Sequence, residues 1–207
     1  MPSQHPPVFS EANADYVADR LAVGGDVDLF HAERARRQVA ELLDGGVTHV
    51  VDCRIEWDDT ELWAGTGVQY LHVPIDDAGQ QVPPEWFEDT VGRVLRMLED
   101  PDALVLTHCH MGVNRGPSLG FAVLLGLGWD PVDALAAIRK ARPVAFAFYA
   151  EDALEWWLGR QGVSGPAADE QRWRLAEFRR RNRVDVRHVI ADIRTAERDA
   201  GPTIRDG

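Results

Sequence analysis

Val105-Leu106-Thr107-His108-Cys109-His110-Met111-Gly112-Val113-Asn114-Arg115-Gly116-Pro117-Ser118 joins two kinds of structure across one cysteine. Before it, residues 103–107 form a short apolar run, read as a central strand ending at His108. After it, residues 117–127 are apolar on nearly all sides, the pattern of a buried helix that begins near Arg115. A loop between such elements curls so that successive backbone N–H groups face one concave site. The following helix aims its positive end at the same place, and Gly112 supplies the backbone freedom the curl needs. That site suits a phosphate dianion, and it is expected to acidify a thiol. A free cysteine titrates near about 8.5, and helix N-termini or cations bring it to about 3.5–7.5. Cys109 is then expected to be a nucleophile, with Arg115 as a planar fork for two phosphoryl oxygens. His110, Met111, Gly112, Val113 and Asn114 are expected to line the phosphate with Arg115.

Outward from this loop, residues 16–17 and 21–23 read as two short strands closed by Gly24-Gly25. Residues 31–43 read as an amphipathic helix closed by Gly45-Gly46, and 48–52 and 68–73 as strands. Residues 83–99 read as a helix with prolines at its start and apolar positions at Trp86, Phe87, Val91, Val94, Leu95 and Leu98. Helices over 131–142, with Asp130 as N-cap, and over 148–158 follow. Strands alternating with helices predict an α/β domain with a central, mainly parallel sheet flanked by helices, followed by a charged C-terminal helical extension. The expected plan is a flexible lead over 1–13, a catalytic domain over 14–160, a linker over 161–168 and a charged helical tail over 169–207.

Hydrophobic residues make up 45% of the 207, enough for a substantial core. Acidic residues number 34 against 22 basic, a net charge of −12. Residues 166–207 hold 10 arginines against 8 carboxylates, so the acidic surplus lies in the body. Such a body argues against nucleic acid or an anionic membrane as the main partner. No apolar run is long enough to span a bilayer. The start, Met1-Pro2-Ser3-Gln4-His5-Pro6-Pro7, does not read as a secretory signal. With only Cys53 and Cys109, a disulfide framework is not expected, and a reducing, cytoplasmic location is. His5, His31, His49, His72 and His188 lack metal-ligand spacing, so neither metal nor cofactor is expected.

His108-Cys109, five residues, then Arg115, with Gly112 between them, resembles the signature loop of the protein tyrosine phosphatase superfamily, with its dual-specificity branch fitting best. The similarity extends over about residues 15–158. It is carried also by Gly45-Gly46-Val47-Thr48-His49-Val50-Val51-Asp52, by Tyr70-Leu71-His72-Val73-Pro74-Ile75-Asp76-Asp77, and by Asp133-Ala134-Leu135-Ala136-Ala137-Ile138-Arg139-Lys140-Ala141-Arg142-Pro143. The resemblance implies a phosphatase acting on phosphotyrosine, and on phosphoserine or phosphothreonine, of a protein or on a small phosphate ester, through a phosphocysteine. It also implies an aspartate that protonates the leaving oxygen and later activates water. Alignment on Tyr70-Leu71 puts Asp77 there, with Asp76 as the alternate.

Gly116 departs from the family, which usually has Ser or Thr after the arginine to help the sulfur leave. A slower second step is therefore expected, with Ser118 two residues on as a supporting hydroxyl. His108 is expected to support the loop by hydrogen-bonding nearby backbone. Cys53 ends a strand beside that of Cys109, and tensin-type lipid phosphatases have a protective disulfide partner in a similar place. The loop lacks the lysines of those enzymes, so a phosphoinositide substrate is not expected. Trp57 and Trp63 lie in the 54–67 loop, which shapes substrate entry in the family. Two other functions stay open: a phosphate-binding pseudophosphatase, because of Gly116, and an RNA 5′-triphosphatase, because of Asn114-Arg115.

Overall fold

The computed structural model describes residues 8–28 and 30–199. Residues 1–7 of the expected lead, with His5, and residues 200–207 of the expected tail lie outside them. Five strands form one sheet: β1 (Ala14–Ala18), β2 (Leu21–Gly24), β3 (His49–Arg54), β4 (Gln69–Ile75) and β5 (Val105–His108). Their order is β1-β2-β5-β3-β4, with only the β1–β2 pair antiparallel. The fold class is therefore the α/β one that the alternation implies. The strand leading to Cys109 is central, and β2, β3 and β5 are buried throughout, which is why they read as continuous apolar runs. The register sets Gly24, His108 and Asp52 side by side at the C-terminal edge. Ligand sites of open parallel sheets form at that edge.

Helices α3 (Pro84–Met97), α4 (Arg115–Gly126), α5 (Pro131–Ala141) and α6 (Ala150–Arg160) cover one face. Their contact residues include Phe87, Val91, Val94, Leu119, Phe121, Leu124, Leu135, Ile138 and Leu154. Residues 115–125 of α4 are buried on every side. Pro117 falls in its first turn, where a missing N–H costs nothing. Asp130 caps α5, accepting the N–H of Val132 at 2.9 Å. On the other face, α1 (Ala32–Asp44) and α2 (Thr60–Trp63) close a second cluster containing Phe9, Leu42, Val47, Val50, Trp63 and Leu106.

Three expected boundaries shift. Residues 8–13 dock on the body: Phe9 stacks on Tyr16 at 4.5 Å, and the Glu41 carboxylate accepts the N–H groups of Ser10, Glu11 and Ala12. The linker shrinks to residues 161–164, because α7 (Gly165–Arg181) begins at a glycine with φ +60°. The tail also begins as part of the body, since Ala168 and Leu175 of α7 enter the main core. The charges of α7 are partly spent on this docking. Arg174 pairs with Asp130 at 2.7 Å, and Arg179 donates to the Ala147 carbonyl at 2.9 Å. The last helix, α8 (Val186–Asp199), puts no described residue into either core cluster.

Candidate active site

The loop after β5 turns its carbonyls outward. His110 O accepts from the Asp26 N–H at 2.8 Å, and Val113 O accepts from both Phe146 and Ala147 at 2.9 Å. Asn114 O accepts from Ser118 at 2.9 Å. Arg142, itself buried, donates to Gly112 O at 2.6 Å and Met111 O at 3.1 Å, and is anchored by Asp15 and Asn13 at 2.8 and 2.7 Å. The N–H groups of Met111, Val113 and Asn114 donate to no backbone or side-chain acceptor among the described residues, and that of Gly112 is aimed at the Cys109 sulfur. The segment is thus neither extended nor helical but a concave amide nest. Gly112 has φ +64°, and a Cβ there would lie 2.6 Å from the Gly24–Gly25 backbone and 2.3 Å from the Arg142 guanidinium. Glycine is the residue that fits.

At the floor lies the Cys109 sulfur, in a residue 2% exposed. Burial pushes its thiol up, while Arg115 and the N–H groups of Gly116 and Gly112 pull it down and Asp77 adds to the rise. The balance is upward, opposite to the acidified thiol that the loop-plus-helix pattern implies, because burial outweighs the nearby cation and amides. Arg115 is buried at the start of α4. Its two terminal nitrogens meet Glu56 end-on at 2.7 and 2.8 Å, and Nη1 also donates to Ile75 O at 3.1 Å. A guanidinium has five N–H donors in a fixed plane. The pair left over, on Nε and Nη2, forms the side-on fork, and Nε is buried without an acceptor. That fork matches two oxygens of a tetrahedral oxyanion. No sequence signal singles out Glu56. Burial works against its charge, and the hydrogen bond from Arg115 holds its carboxyl below the usual range.

The cavity above the sulfur, about 270 Å³, is lined by Cys109, His110, Met111, Val113, Asn114, Arg115, Glu56 and Asp77, and by Ile190 and Arg194 of α8. Asp77 faces it, 3.7 Å from Arg115 Nε and accepting from the Tyr149 hydroxyl at 3.0 Å. Both Asp77 oxygens lie 3.4 Å from the Asn114 side-chain amide. Asp76 does not line the cavity, and one of its oxygens accepts the Asp77 N–H at 2.7 Å. The structure therefore favours Asp77 over its neighbour as the carboxylate of the site.

Several expected supporting roles change. His108 makes no hydrogen bond to nearby backbone through its ring. That ring is enclosed between Asp26 and Asp52, at 3.8 and 3.7 Å, and burial pushes its imidazole toward the neutral form. The Ser118 hydroxyl accepts the Tyr149 N–H at 3.1 Å, which holds the start of α6 and leaves its own O–H to donate. Gly116 has a steric reason: a Cβ there would lie 2.9 Å from the backbone of His108. Trp63 is buried in the second cluster. Trp57 stays near the mouth, its ring 5.3 Å from that of His110. Cys53 is buried on β3 one residue beyond the Asp52–His108 pairing, and Cys109 comes one residue beyond the same pairing. Burial, then the neighbouring Cys109, push the Cys53 thiol well up, and both cysteines are free.

Behind the loop, Arg54 is fully buried among Asp26, Asp52 and Asp59. Tyr70 donates to Asp52 at 2.8 Å, and His110 Nδ1 lies 2.8 Å from Asp26. Asp26 thus connects this cluster to the loop by both its N–H and its carboxylate. Among the described residues, no group of three or more His, Cys, Asp or Glu side chains is arranged to hold a metal ion.

No protein-family model matches the sequence. Rat dual specificity protein phosphatase 26 is 29% identical over 140 residues, covering 60% of this chain. The chain spans 64% of that relative's length, less than two thirds. The fold is similar to human DUSP28, with a TM-score of 0.59 at 21% identity over 72% of this chain and 99% of the other. It is likewise similar to a mouse putative dual specificity phosphatase complexed with zinc tungstate, with a TM-score of 0.61 at 20% identity over 78% and 98% of the two chains. With its Cys109–Arg115 nest at the end of a central parallel strand, this chain shares the fold of these phosphatase structures and is similar in sequence to rat dual specificity protein phosphatase 26.

Proposed function

We propose that the chain hydrolyses phosphate monoesters through a phosphocysteine intermediate, with phosphotyrosine, phosphoserine or phosphothreonine of a protein, or a small ester, as substrate. The observation that carries this reading is the spare side-on fork of Arg115 beside a ring of inward amides, with the Cys109 sulfur beneath both. Such donors are aimed at the three equatorial oxygens of a phosphoryl group in transit, where fixed dipoles stabilise charge best. In the first step the Cys109 thiolate attacks phosphorus in line. The P–O bond to the leaving group breaks, and Asp77 in its protonated form delivers a proton to that oxygen. In the second step Asp77, now a carboxylate, takes a proton from water, the water oxygen bonds to phosphorus, and the P–S bond breaks to return the thiolate. Tyr149 and Asn114 position Asp77 for both. The raised Cys109 thiol means that its proton must be lost before attack.

The test is turnover of an aryl phosphate by the wild type and by Cys109→Ser, with acid-quenched protein examined by mass spectrometry for a phosphoryl group on Cys109. Turnover that survives in Cys109→Ser would refute the reading. A family relationship without turnover, but with phosphate bound in the nest, would favour the pseudophosphatase alternative.

A further inference from the structure

α8 lies across the mouth of the site. Ile190 and Arg194, one helical turn apart, line the cavity that holds Cys109 and Arg115. Ile193 and Ala196 line an adjoining cavity of about 380 Å³ on the far side of His110 and Met111, shared with Asp26, Asp28 and Arg34. Among the described residues of the helix, the half-buried positions are Val186, Val189, Ile190 and Ile193, a single stripe at the 3-and-4 spacing of an amphipathic face. The helix is therefore seated on the loop by its apolar side, and it carries Arg194 to the rim of the cavity.

Among the described residues around that rim, each charged side chain other than Arg194 has a partner. Glu56 is taken by Arg115, Asp77 by Tyr149, Asn114 and Arg115, and His110 by Asp26. Arg194 is exposed and makes no ion pair or hydrogen bond with any described residue. In a chain of net charge −12, long-range attraction for anions is absent, and screening confines any attraction to about 8–10 Å. A local cation must supply it.

We propose that Arg194 is a specificity-determining residue. It selects small phosphate monoesters that carry a second anionic group, such as a carboxylate or another phosphate, placed opposite the phosphoryl held by Arg115. This deepens the reading of the site as a phosphatase and rests on it for the hydrolytic step, but the selectivity itself is a property of binding. A small ester fits better than a folded protein segment, because α8 roofs a space of only about 270 Å³.

The experiment is calorimetric titration of the full chain with two non-hydrolysable probes at fixed ionic strength, methylphosphonate and phosphonoacetate, which differ by one carboxylate. Wild type is expected to bind phosphonoacetate about five- to tenfold more tightly, the worth of one partly exposed charge pair. Arg194→Ala is expected to bring that ratio to near one, and Arg194→Lys to keep part of it. A wild-type ratio near one, or a ratio unmoved in Arg194→Ala, would overturn the proposal. A third arm, a peptide carrying the non-hydrolysable phosphotyrosine analogue difluorophosphonomethyl-phenylalanine with flanking glutamates, is expected to bind more weakly than phosphonoacetate. Tighter binding of the peptide, again lost in Arg194→Ala, would overturn the small-ester assignment. Selective binding without aryl phosphate turnover would sink the hydrolytic reading alone, and turnover without selectivity would sink only this one.

Discussion

Arg54 and Arg115 are both buried at the C-terminal edge of the sheet, with side chains 0% and 3% exposed, yet they are finished to different degrees. Arg54 meets three aspartates, and its Nε, Nη1 and Nη2 all face carboxylate oxygen. Arg115 meets one glutamate end-on and keeps a second fork without an acceptor. Burial of an arginine therefore says little about function. What distinguishes the two is the carboxylates around each: Arg54 is ringed by three at ion-pair distance, although its Nη1 makes no aligned hydrogen bond, whereas Arg115 has one end-on and leaves its side-on fork open toward the cavity. A guanidinium ringed by carboxylates fastens elements together, here the ends of β2 and β3 to the loop through Asp26. One with an open fork receives an anion.

The sharpest way to break this contrast is to remove each arginine in turn. Arg115→Met is expected to lower kcat/KM for an aryl phosphate by about a thousandfold or more, since two donors to the transition state vanish together. Arg115→Lys is expected to do little better, because a point charge cannot replace a planar fork. The thermal midpoint should move far less than activity, as Glu56 is 39% exposed and can be hydrated. Arg54→Met should show the opposite split. Three carboxylates lose their buried cation, so chemical denaturation is expected to show a loss of about 3–5 kcal/mol. Equal stability losses in the two variants would erase the distinction between fastener and receptor.

Smaller effects refine it. Glu56→Gln keeps the shape of the end-on partner but removes its charge, and kcat/KM is expected to fall about tenfold as Arg115 loses its fixed orientation. The smallest expected effect concerns pH. Burial holds the proton on Cys109, so its alkylation by iodoacetamide, followed by mass spectrometry, should still be climbing through about pH 7 to 9. In Arg115→Met the climb should move to higher pH, since a cation that lowers the thiol has gone. A profile already level below neutrality would mean that the amide nest outweighs burial.

The loop was legible because its chemistry is written in consecutive residues. A strand, a cysteine, a glycine at positive φ and an arginine opening a buried helix all fall between Val105 and Ser118. The sheet was legible for a similar reason, since a strand covered on both faces is largely apolar. Glu56 was not legible, because its partner lies 59 positions away and its own segment carries no periodicity. Arg142 falls in the Asp133–Pro143 segment that carries the resemblance, but its place under the loop, 30 positions from Gly112, is set by the fold. The end of β3 was misplaced for a third reason. Asp52 and Arg54 are polar yet fully buried, and a reading by hydropathy stops where a buried ion cluster starts. The docking of α7 was hidden in the same way, because only Ala168 and Leu175 of that helix are buried and its charges dominate the pattern.

The close approach of Gly116 to the strand end bears on how this loop can change. A hydroxyl at that position is one substitution away in the sequence but not in space, because any side chain would press on the main chain of His108, which cannot swing aside as a flexible side chain would. The β5–α4 junction is also pinned by the Thr107 hydroxyl on the Gly116 carbonyl at 3.0 Å. Repairing the missing sulfur partner therefore demands a coordinated widening of the hairpin between strand and helix. On the proposed phosphocysteine route, sulfur would have to leave without a hydroxyl at this position.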